Sequence, residues 1–184
     1  MIPDLQSEYR RRCVEPSDIR DYLPLLHECA RTRPRARVLE LGVRTGHSTI
    51  ALLSGAVLAS GHVWSVDVAD VRGLDGGMGP WRDHPAWTFT AGDATSPVVA
   101  AAQPPQIDVL FIDAGHGYDE TLAELEAYMP RLAPGGVALC HDTRLHMAGE
   151  GPYPVARALD TYCAGHGLGW RDLPGEYGMG VVTP

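Results

Sequence analysis

Residues 38–48 constrain the fold more than any other part of the chain. This segment begins with an apolar run, passes through glycines at positions 42 and 46, and continues into a helix-like sequence from Ser48. Glycines allow a positive φ and a close approach of the backbone to a ligand, and the start of a helix offers free N–H groups. The segment therefore predicts a buried strand, a tight turn and a helix that form one wall of a nucleotide-sized pocket.

The chemistry of this turn argues against a phosphate ligand. Its spacing is G-x-x-x-G, whereas a dinucleotide fingerprint needs G-x-G-x-x-G and a phosphate loop needs a lysine, which the chain lacks. Glu40 precedes the turn and would repel a polyanion. It suits a ligand with a cationic or amine-bearing end, and S-adenosylmethionine has that character. A strand-to-helix turn without a ligand is the alternative.

Further apolar runs along the chain also end on polar side chains. One ends on Asp67, where a carboxylate at a strand end can hold ribose hydroxyls. The others end on Asp93, on Asp113 and on the pair His141 and Asp142. In an open α/β sheet the carboxyl ends of the strands share one crevice, so these side chains are expected to converge. The pattern predicts an α/β fold with a doubly wound, mostly parallel sheet and an antiparallel C-terminal strand.

These motifs resemble those of class I S-adenosylmethionine-dependent methyltransferases. Within that class the chain looks like the metal-assisted O-methyltransferases related to catechol O-methyltransferase, macrolide-sugar O-methyltransferases and the cephalosporin-hydroxylase group. The resemblance is carried by residues 39–42, 46, 48, 65–67, 92–94, 111–116, 132–136 and 141–142. It implies transfer of a methyl group from S-adenosylmethionine to a hydroxyl of a small molecule, such as a sugar or another secondary metabolite.

The resemblance also implies which residues contact the cofactor. These are Glu40, Gly42, Gly46, Ser48, Asp67, Asp93 and Asp113. Residues 40–46 would surround the methionine portion, Asp67 would meet the ribose, and Asp93 would accept a hydrogen bond from the adenine amine. Asp93 could instead cap a helix that starts near Pro97.

The acids and histidines near the last two strand ends carry the expected chemistry. Methyl transfer to an alcohol requires removal of the hydroxyl proton, and a divalent cation bound to the hydroxyl lowers its pKa. The resemblance implies Asp113 and Asp142 as cation ligands. His116 stands where catechol-type relatives carry a lysine base and sugar-modifying relatives carry a histidine. We predict His116 as the general base, because an imidazole pKa near neutrality suits proton abstraction.

His141 departs from the family pattern, which usually has a carboxylate at this position. An imidazole removes one negative charge and is a softer donor, so magnesium affinity should fall. Three roles stay open: a ligand for manganese, iron or zinc, a substrate contact, or a strand cap in a site that works without metal. Successive strand side chains point to opposite faces, so His141 and Asp142 can share an ion only if the backbone curls out of the sheet.

Two other functions are compatible with part of this residue set. A metal-dependent hydrolase could use the aspartates and histidines around a zinc-bound water, but it would leave the glycine turn and Asp67 without a purpose. A module that binds S-adenosylmethionine without catalysis would have no need to keep Asp113, His116 and Asp142 together.

The positions of the residues that start and stop helices and strands predict one domain spanning residues 1–184. It would consist of a leading helical segment at 1–34, a cofactor- and metal-binding core at 35–143, and a C-terminal helix and strand pair at 144–184. Helices are expected at 48–58, 118–132 and 155–164. The glycine-rich residues 73–85 disfavour a helix and predict a mobile loop, which is either a lid with Trp81 stacked on adenine or a plain surface loop.

Composition limits the class of protein. Of the 184 residues 45% are hydrophobic, yet no apolar run is long enough to span a bilayer, so we expect a soluble protein. A net charge of −8 opposes nucleic-acid binding, and the arginines at 10–12 and 31–37 are expected on solvated faces. The four cysteines lack a C-x-x-C spacing and the N-terminus does not resemble a secretory signal, so we expect a cytoplasmic location. A homo-oligomer, in which a second subunit completes an open acceptor site, is a further conjecture.

Overall fold

The computed structural model describes residues 4–73 and 77–183, and its centre is a seven-stranded sheet. Its strands are β1 (Arg37–Leu41), β2 (His62–Asp67), β3 (Trp87–Ala91), β4 (Ile107–Ile112), β5 (Leu132–His141), β8 (Trp170–Leu173) and β9 (Met179–Val182). β6 (His146–Met147) and β7 (Gly151–Pro152) form a separate hairpin. The strand order is β3-β2-β1-β4-β5-β9-β8, with β1 to β5 parallel and β9 antiparallel to both neighbours. The predicted sheet is confirmed.

Six α-helices cover the two faces of this sheet in the described part of the chain. They are α1 (Leu5–Arg12), α2 (Leu23–Arg31), α3 (His47–Leu58), α4 (Pro97–Ala102), α5 (Tyr118–Tyr128) and α6 (Pro154–His166). The strand β4 shows how both faces are filled, because its side chains alternate between them. Val109 and Phe111 pack with α2 and α3, whereas Leu110 and Ile112 pack with α5 and α6. Both faces are apolar, as expected for a parallel sheet covered on each side.

The helix expected at 118–132 is shorter than predicted. α5 ends at Tyr128, a 3-10 turn covers Met129–Arg131, and Leu132 already begins β5, where it pairs with Ile107. Pro130 explains the early end, because it has no N–H to donate to the preceding helical turn. The apolar residues therefore keep a helical spacing as far as Leu132, although the α-helix itself ends at Tyr128.

The segment between β2 and β3 is irregular, as predicted. Its described residues contain two 3-10 turns, Val71–Gly73 and Gly79–Trp81, and no α-helix. Part of the predicted loop, residues 74–76, lies outside the described residues. Trp81 is only 2% exposed and packs in the core formed with α2 and α3. The alternative in which Trp81 stacks on adenine is therefore wrong, because the indole is buried among apolar side chains and does not line the cavity.

In the parts of the chain that the structure describes, we find no helix with the length and apolar character needed to cross a bilayer.

Candidate active site

The turn between β1 and α3 packs directly against the end of β4. Gly42 has φ +90° and Gly46 has φ +77°. A Cβ atom on Gly42 would lie 2.1 Å from the carbonyl oxygen of Asp113, so only glycine allows these two strand ends to touch. A Cβ atom on Gly46 would lie 2.5 Å from the Sδ atom of Met78. The contact at Gly42 is with backbone atoms, so close packing requires glycine there and brings the ends of β1 and β4 together, whereas the contact at Gly46 is with a flexible side chain.

Asp67 holds this turn from the end of β2. Its Oδ2 atom accepts hydrogen bonds from the backbone N–H groups of Val43 at 2.8 Å and Arg44 at 3.0 Å. Its Oδ1 atom accepts from the N–H of Ala69 at 2.9 Å. An ionised carboxylate can accept about four hydrogen bonds, so Asp67 keeps capacity for a ligand. Its predicted contact with a ribose stays a prediction.

Glu40 is fully buried behind the turn. Its carboxylate accepts hydrogen bonds from the hydroxyls of Ser48 at 2.7 Å, Thr49 at 2.8 Å and Ser65 at 2.6 Å. The indole N–H of Trp87 donates to the Ser65 hydroxyl at 2.9 Å. Burial raises the pKa of Glu40 to about 7, against the opposing effect of the three hydroxyl donors. The structure places Glu40 and Ser48 in contact with each other behind the turn, and their predicted contact with the cofactor stays untested.

A cavity of about 730 Å³ opens at the carboxyl ends of β1 to β4. This volume suits a small-molecule ligand, for which cavities of roughly 300–1,000 Å³ are usual. The cavity brings together five of the predicted site residues, namely Gly42, Asp67, Asp93, Asp113 and His116. It is closed on one side by residues of α5 that were not predicted, namely Asp119, Glu120, Ala123 and Glu124.

Asp93 lies in the cavity wall directly after β3. Its Oδ1 atom accepts hydrogen bonds from the backbone N–H and the hydroxyl of Thr95, both at 2.8 Å. These two donors lower the pKa of Asp93. The N-cap of α4 is Ser96, whose hydroxyl accepts from the N–H of Val99. The alternative role of Asp93 as the helix cap is therefore wrong, because Ser96 occupies that position.

Four charged side chains meet where β4 and β5 end. The Nε2 atom of His116 lies 2.8 Å from Oδ2 of Asp142 and 3.6 Å from Oδ1 of Asp113. The Nδ1 atom of His141 lies 3.2 Å from Oδ1 of Asp113 and 3.4 Å from Oδ1 of Asp142. We call these four residues the Asp-His cluster. Each carboxylate faces both imidazoles.

The backbone after β5 explains how His141 and Asp142 reach the same place. β5 ends at His141, and Asp142 has φ +65°, in the left-handed region that non-glycine residues rarely adopt. The chain therefore leaves the sheet between these two residues, and both side chains face Asp113. This is the curl of the backbone that the sequence required for a shared site.

Pairing between the carboxylates and the imidazoles shifts the pKa values of the cluster residues. Hydrogen bonding to Asp113 and then to Asp142 raises the pKa of His116 to about 10. Burial opposes protonation of His141, but the same two carboxylates outweigh it and raise its pKa to about 9. Burial would raise the pKa of Asp142, yet the two histidines hold it well below its usual range. The neighbouring carboxylates therefore favour the protonated form of both imidazoles.

Three members of the cluster are arranged as metal ligands could be. One donor atom from each of Asp113, His141 and Asp142 can be chosen so that all three lie within 4.8 Å of one another. The His141 side chain is only 1% exposed, and the ring of Tyr22 stands edge-on to it at 5.7 Å. A group so enclosed is poorly placed to contact a substrate. Two carboxylate oxygens and one imidazole nitrogen fit manganese, iron or zinc better than magnesium.

Two buried charged residues near the site were not predicted from the sequence. Arg12 is 2% exposed, and its Nη1 atom donates to the carbonyl of Thr45 at 3.0 Å, so its expected place on a solvated face is wrong. Glu8 at helical spacing gives Arg12 a local partner at 2.8 Å, which the sequence could have suggested. Glu124 is 5% exposed in the cavity wall, and only its place on the predicted helix could have indicated that.

Comparisons with known proteins agree on the nature of the fold. A family model described as "Methyltransferase domain" matches residues 39–143, which is more than half of the chain. A search of curated proteins finds no match.

Several solved structures are similar over nearly the whole chain. The methyltransferase PaMTH1 of Podospora anserina, bound to S-adenosylhomocysteine (SAH), is 18% identical with a TM-score of 0.68, over 98% of this chain and 88% of that one. A putative caffeoyl-CoA O-methyltransferase of Staphylococcus aureus is 16% identical with a TM-score of 0.73, over 97% and 90%. The methyltransferase MycE of the mycinamycin biosynthetic pathway, in complex with Mg, SAH and mycinamycin VI, is 19% identical with a TM-score of 0.68. That match covers 98% of this chain and 54% of MycE.

At these identities the structural likeness shows the fold, and the family match shows the class of enzyme. The chain belongs to the methyltransferase-domain family, and its fold is that of the class I S-adenosylmethionine-dependent methyltransferases.

Proposed function

We propose that this methyltransferase transfers the methyl group of S-adenosylmethionine to a hydroxyl of a small molecule, with a divalent cation at the Asp-His cluster and His116 as general base. The observation that carries the proposal is the position of the cluster. Asp113 and His116 belong both to it and to the wall of the 730 Å³ cavity. The cavity and the cluster therefore share one edge, as a cofactor site and a methyl-acceptor site must.

The cavity supports the cofactor assignment. Asp67 and Asp93 stand at the ends of neighbouring strands, where a ribose and an adenine would lie side by side. Several of the similar structures, PaMTH1 and MycE among them, contain SAH, the product of methyl transfer from this cofactor. We assign Gly42 and Asp113 to the wall beside the methionine portion, because both line the cavity where β1 meets β4.

The cluster supports the cation assignment. Asp113, His141 and Asp142 would hold the ion, since their donor atoms already converge and His141 is enclosed. A bound divalent cation would lower the pKa of the acceptor hydroxyl and fix its direction. The similar MycE structure contains Mg, but the imidazole of this chain favours manganese, iron or zinc.

The proton transfer requires His116 to be neutral, so His116 acts as the base only when a cation is bound at the cluster. In the transfer, the acceptor oxygen forms a bond to the methyl carbon while the carbon–sulfur bond breaks and its electron pair stays on sulfur. The hydroxyl proton passes to Nε2 of His116. His116 can accept it only as a neutral imidazole, and the carboxylates of Asp113 and Asp142 now hold it protonated. Neutralising these two carboxylates removes the main cause of the raised pKa, so the base and the cation assignments depend on each other.

The acceptor is proposed to be a sugar or another hydroxylated secondary metabolite. The similar MycE structure was solved with mycinamycin VI, and NovP is a further similar O-methyltransferase. The net charge of −8 argues against a nucleic-acid substrate. Neither alternative function is favoured: a hydrolase does not account for the methyltransferase family match, and a non-catalytic module does not account for the Asp-His cluster.

A turnover assay tests this proposal. The protein is incubated with S-adenosylmethionine, Mn²⁺ or Mg²⁺ and a panel of glycosides and phenols, and SAH formation is measured. His116→Ala should reduce turnover by about 10² to 10⁴, the usual contribution of a general base. His166→Ala is the matched control, because His166 is an exposed histidine at the end of α6. Equal turnover in His116→Ala and wild type would overturn the assignment of the base.

A further inference from the structure

Arg12 is a buried cation that the proposed mechanism does not use. It is the last residue of α1 and is 2% exposed, whereas the side chain of its neighbour Arg11 is 49% exposed. Burying a charged guanidinium costs free energy, and a buried ion pair can often be exchanged for apolar side chains without loss of stability. The burial of Arg12 is therefore poorly explained by stability alone.

The guanidinium of Arg12 reaches the turn between β1 and α3. Its Nη1 atom donates to the carbonyl of Thr45 at 3.0 Å and lies 3.1 Å from Nδ1 of His47, the first residue of α3. Burial and then the positive charge of Arg12 lower the pKa of His47, and a neutral imidazole can accept a hydrogen bond from Nη1. The Nε atom donates to Glu8 at 2.8 Å. Arg12 thus bridges its own helix and two residues of the turn.

The backbone of this turn is strained and needs support from its surroundings. Arg44 has φ +49°, in the left-handed region that non-glycine residues rarely adopt. Such a conformation persists only where neighbouring structure holds it in place. Asp67 binds the N–H groups of Val43 and Arg44 from the side of β2. Arg12 binds the carbonyl of Thr45 from the side of α1. The two contacts therefore hold the residues on and beside the strained position.

The turn separates Arg12 from the cavity. Residues 42–44 line the cavity, whereas none of the described residues before position 42 does. Arg12 can therefore affect a ligand in the cavity only through the turn. The helix α1 has other attachments to the fold, because Leu5 is buried in the core and the side-chain amide of Gln6 donates to the carbonyl of Ser54 at 3.1 Å. Docking of α1 thus does not depend on Arg12 alone.

We propose that Arg12 is a positioning residue for cofactor binding: its guanidinium keeps the turn between β1 and α3 in the shape that lines the cavity, and it thereby couples α1 to the cofactor. The proposal rests on the proposed function, because it takes S-adenosylmethionine as the ligand of the cavity. Lysine is a poor substitute, since its ammonium group is a point charge and lacks the rigid fork of donors of a guanidinium. Coupling between two positions is reciprocal, so a bound cofactor should also stabilise α1.

Calorimetric titration of the metal-stripped protein with SAH and, separately, with Mn²⁺ tests this proposal. Arg12→Lys keeps the positive charge and should bind SAH about tenfold more weakly, with Mn²⁺ affinity within about twofold of wild type. Arg11→Lys is the matched control, because Arg11 shares the partner Glu8 but is exposed, and it should keep both affinities. Thermal unfolding sets a temperature at which every variant is folded. SAH affinity unchanged in Arg12→Lys, or an equal loss of both ligands, would overturn the proposal.

Hydrogen exchange of wild type decides the question if Arg12→Lys does not fold. SAH should slow exchange of the backbone N–H groups of residues 9–13 by about threefold or more, although α1 lies outside the cavity. Residues 158–166 of α6, which also lie outside the cavity, are the internal control and should keep their exchange rates. Unchanged exchange at 9–13, or equal slowing in α1 and α6, would contradict the coupling. A wild type that binds no SAH would instead show that the proposed cofactor site itself fails.

Discussion

The two halves of the sheet's carboxyl edge use their acidic residues in opposite ways. At the ends of β1 and β2, Glu40 accepts from three hydroxyls and Asp67 from three backbone N–H groups. At the ends of β4 and β5, Asp113 and Asp142 face only imidazoles in the contacts described above. The first half is held by neutral donors that the fold supplies. In the second half the carboxylates are paired with imidazoles, and binding of a cation or loss of a proton would change that pairing.

This difference teaches which residues serve structure and which serve chemistry. Burial raises the pKa of Glu40 to about 7, so the fold tolerates its charge only partly. The histidines of the cluster instead lower the pKa of Asp142, so that carboxylate stays ionised and available as a ligand. We expect substitutions in the first half to change folding and cofactor binding, and substitutions in the second half to change cation binding and catalysis.

The largest effect is expected for Asp142→Asn. This variant removes a proposed cation ligand and the closest partner of His116, so methyl transfer should fall by about 100-fold or more. SAH affinity should stay within a few-fold of wild type, because Asp142 lies beside the cofactor site and not in it. Turnover and calorimetric SAH binding are the measurements. Asp83→Asn, at a side chain that is 90% exposed, is the control. A loss of SAH binding equal to the loss of turnover would contradict the separation of the two halves.

Gly42→Ala tests the first half by its packing. A Cβ atom there would lie 2.1 Å from a backbone oxygen, at a φ of +90°, so the free energy of unfolding should fall by about 3 kcal/mol or more. Gly135→Ala has a φ of +70° and nothing within 4 Å, so it shows the backbone strain alone and should cost about 1 kcal/mol. Urea unfolding compares the two. Equal losses would show that the contact between β1 and β4 is not tight.

Glu40→Gln tests the electrostatic part of the same half. The folded-state pKa of Glu40, about 7, is raised above the ordinary value of 4.5, so its contribution to stability is complete below pH 4.5 and is lost as the pH rises through 7. In wild type this should lower the free energy of unfolding by about 3 kcal/mol between these pH values. Glu40→Gln should show a correspondingly flatter pH dependence, and Glu126→Gln, at an exposed side chain of α5, should not. Parallel curves for Glu40→Gln and wild type would contradict the raised pKa.

The smallest effect is expected for His141→Asp. This variant tests whether His141 is one of the cation ligands in the second half. A third carboxylate in place of an imidazole should favour a hard cation, so the ratio of Mg²⁺ to Mn²⁺ affinity should rise about tenfold. Titration of the metal-stripped proteins with each ion measures this ratio. An unchanged ratio would mean that His141 does not ligate the ion.

Local sequence patterns predicted the parts of the site that depend on strand ends. The glycine turn, the acids at the ends of β2, β3 and β4, and the polar pair at the end of β5 follow from rules that act within a few residues. The sequence also indicated that the backbone must leave the sheet at Asp142 if His141 and Asp142 are to share a site. The positive φ of Asp142 shows that it does.

The remaining features depend on contacts between distant segments. Arg12 binds the carbonyl of Thr45 across 33 residues, and no local pattern indicates such a pair. The glycines near Trp81 predicted an irregular segment but not which face of the molecule its indole would cover. Glu124 faces the cavity only because α5 packs beside the ends of β3 and β4. The positions of these three side chains depend on tertiary packing, which local sequence patterns do not show.

One titration experiment tests the central claim, that two adjacent sites of different construction share this edge of the sheet. Metal-stripped wild type, Asp67→Asn and Asp142→Asn would each be titrated with SAH and, separately, with Mn²⁺. We predict that wild type binds both, that Asp67→Asn loses SAH but keeps Mn²⁺, and that Asp142→Asn loses Mn²⁺ but keeps SAH. A wild type that binds no SAH, or two variants that each lose both ligands, would contradict the account.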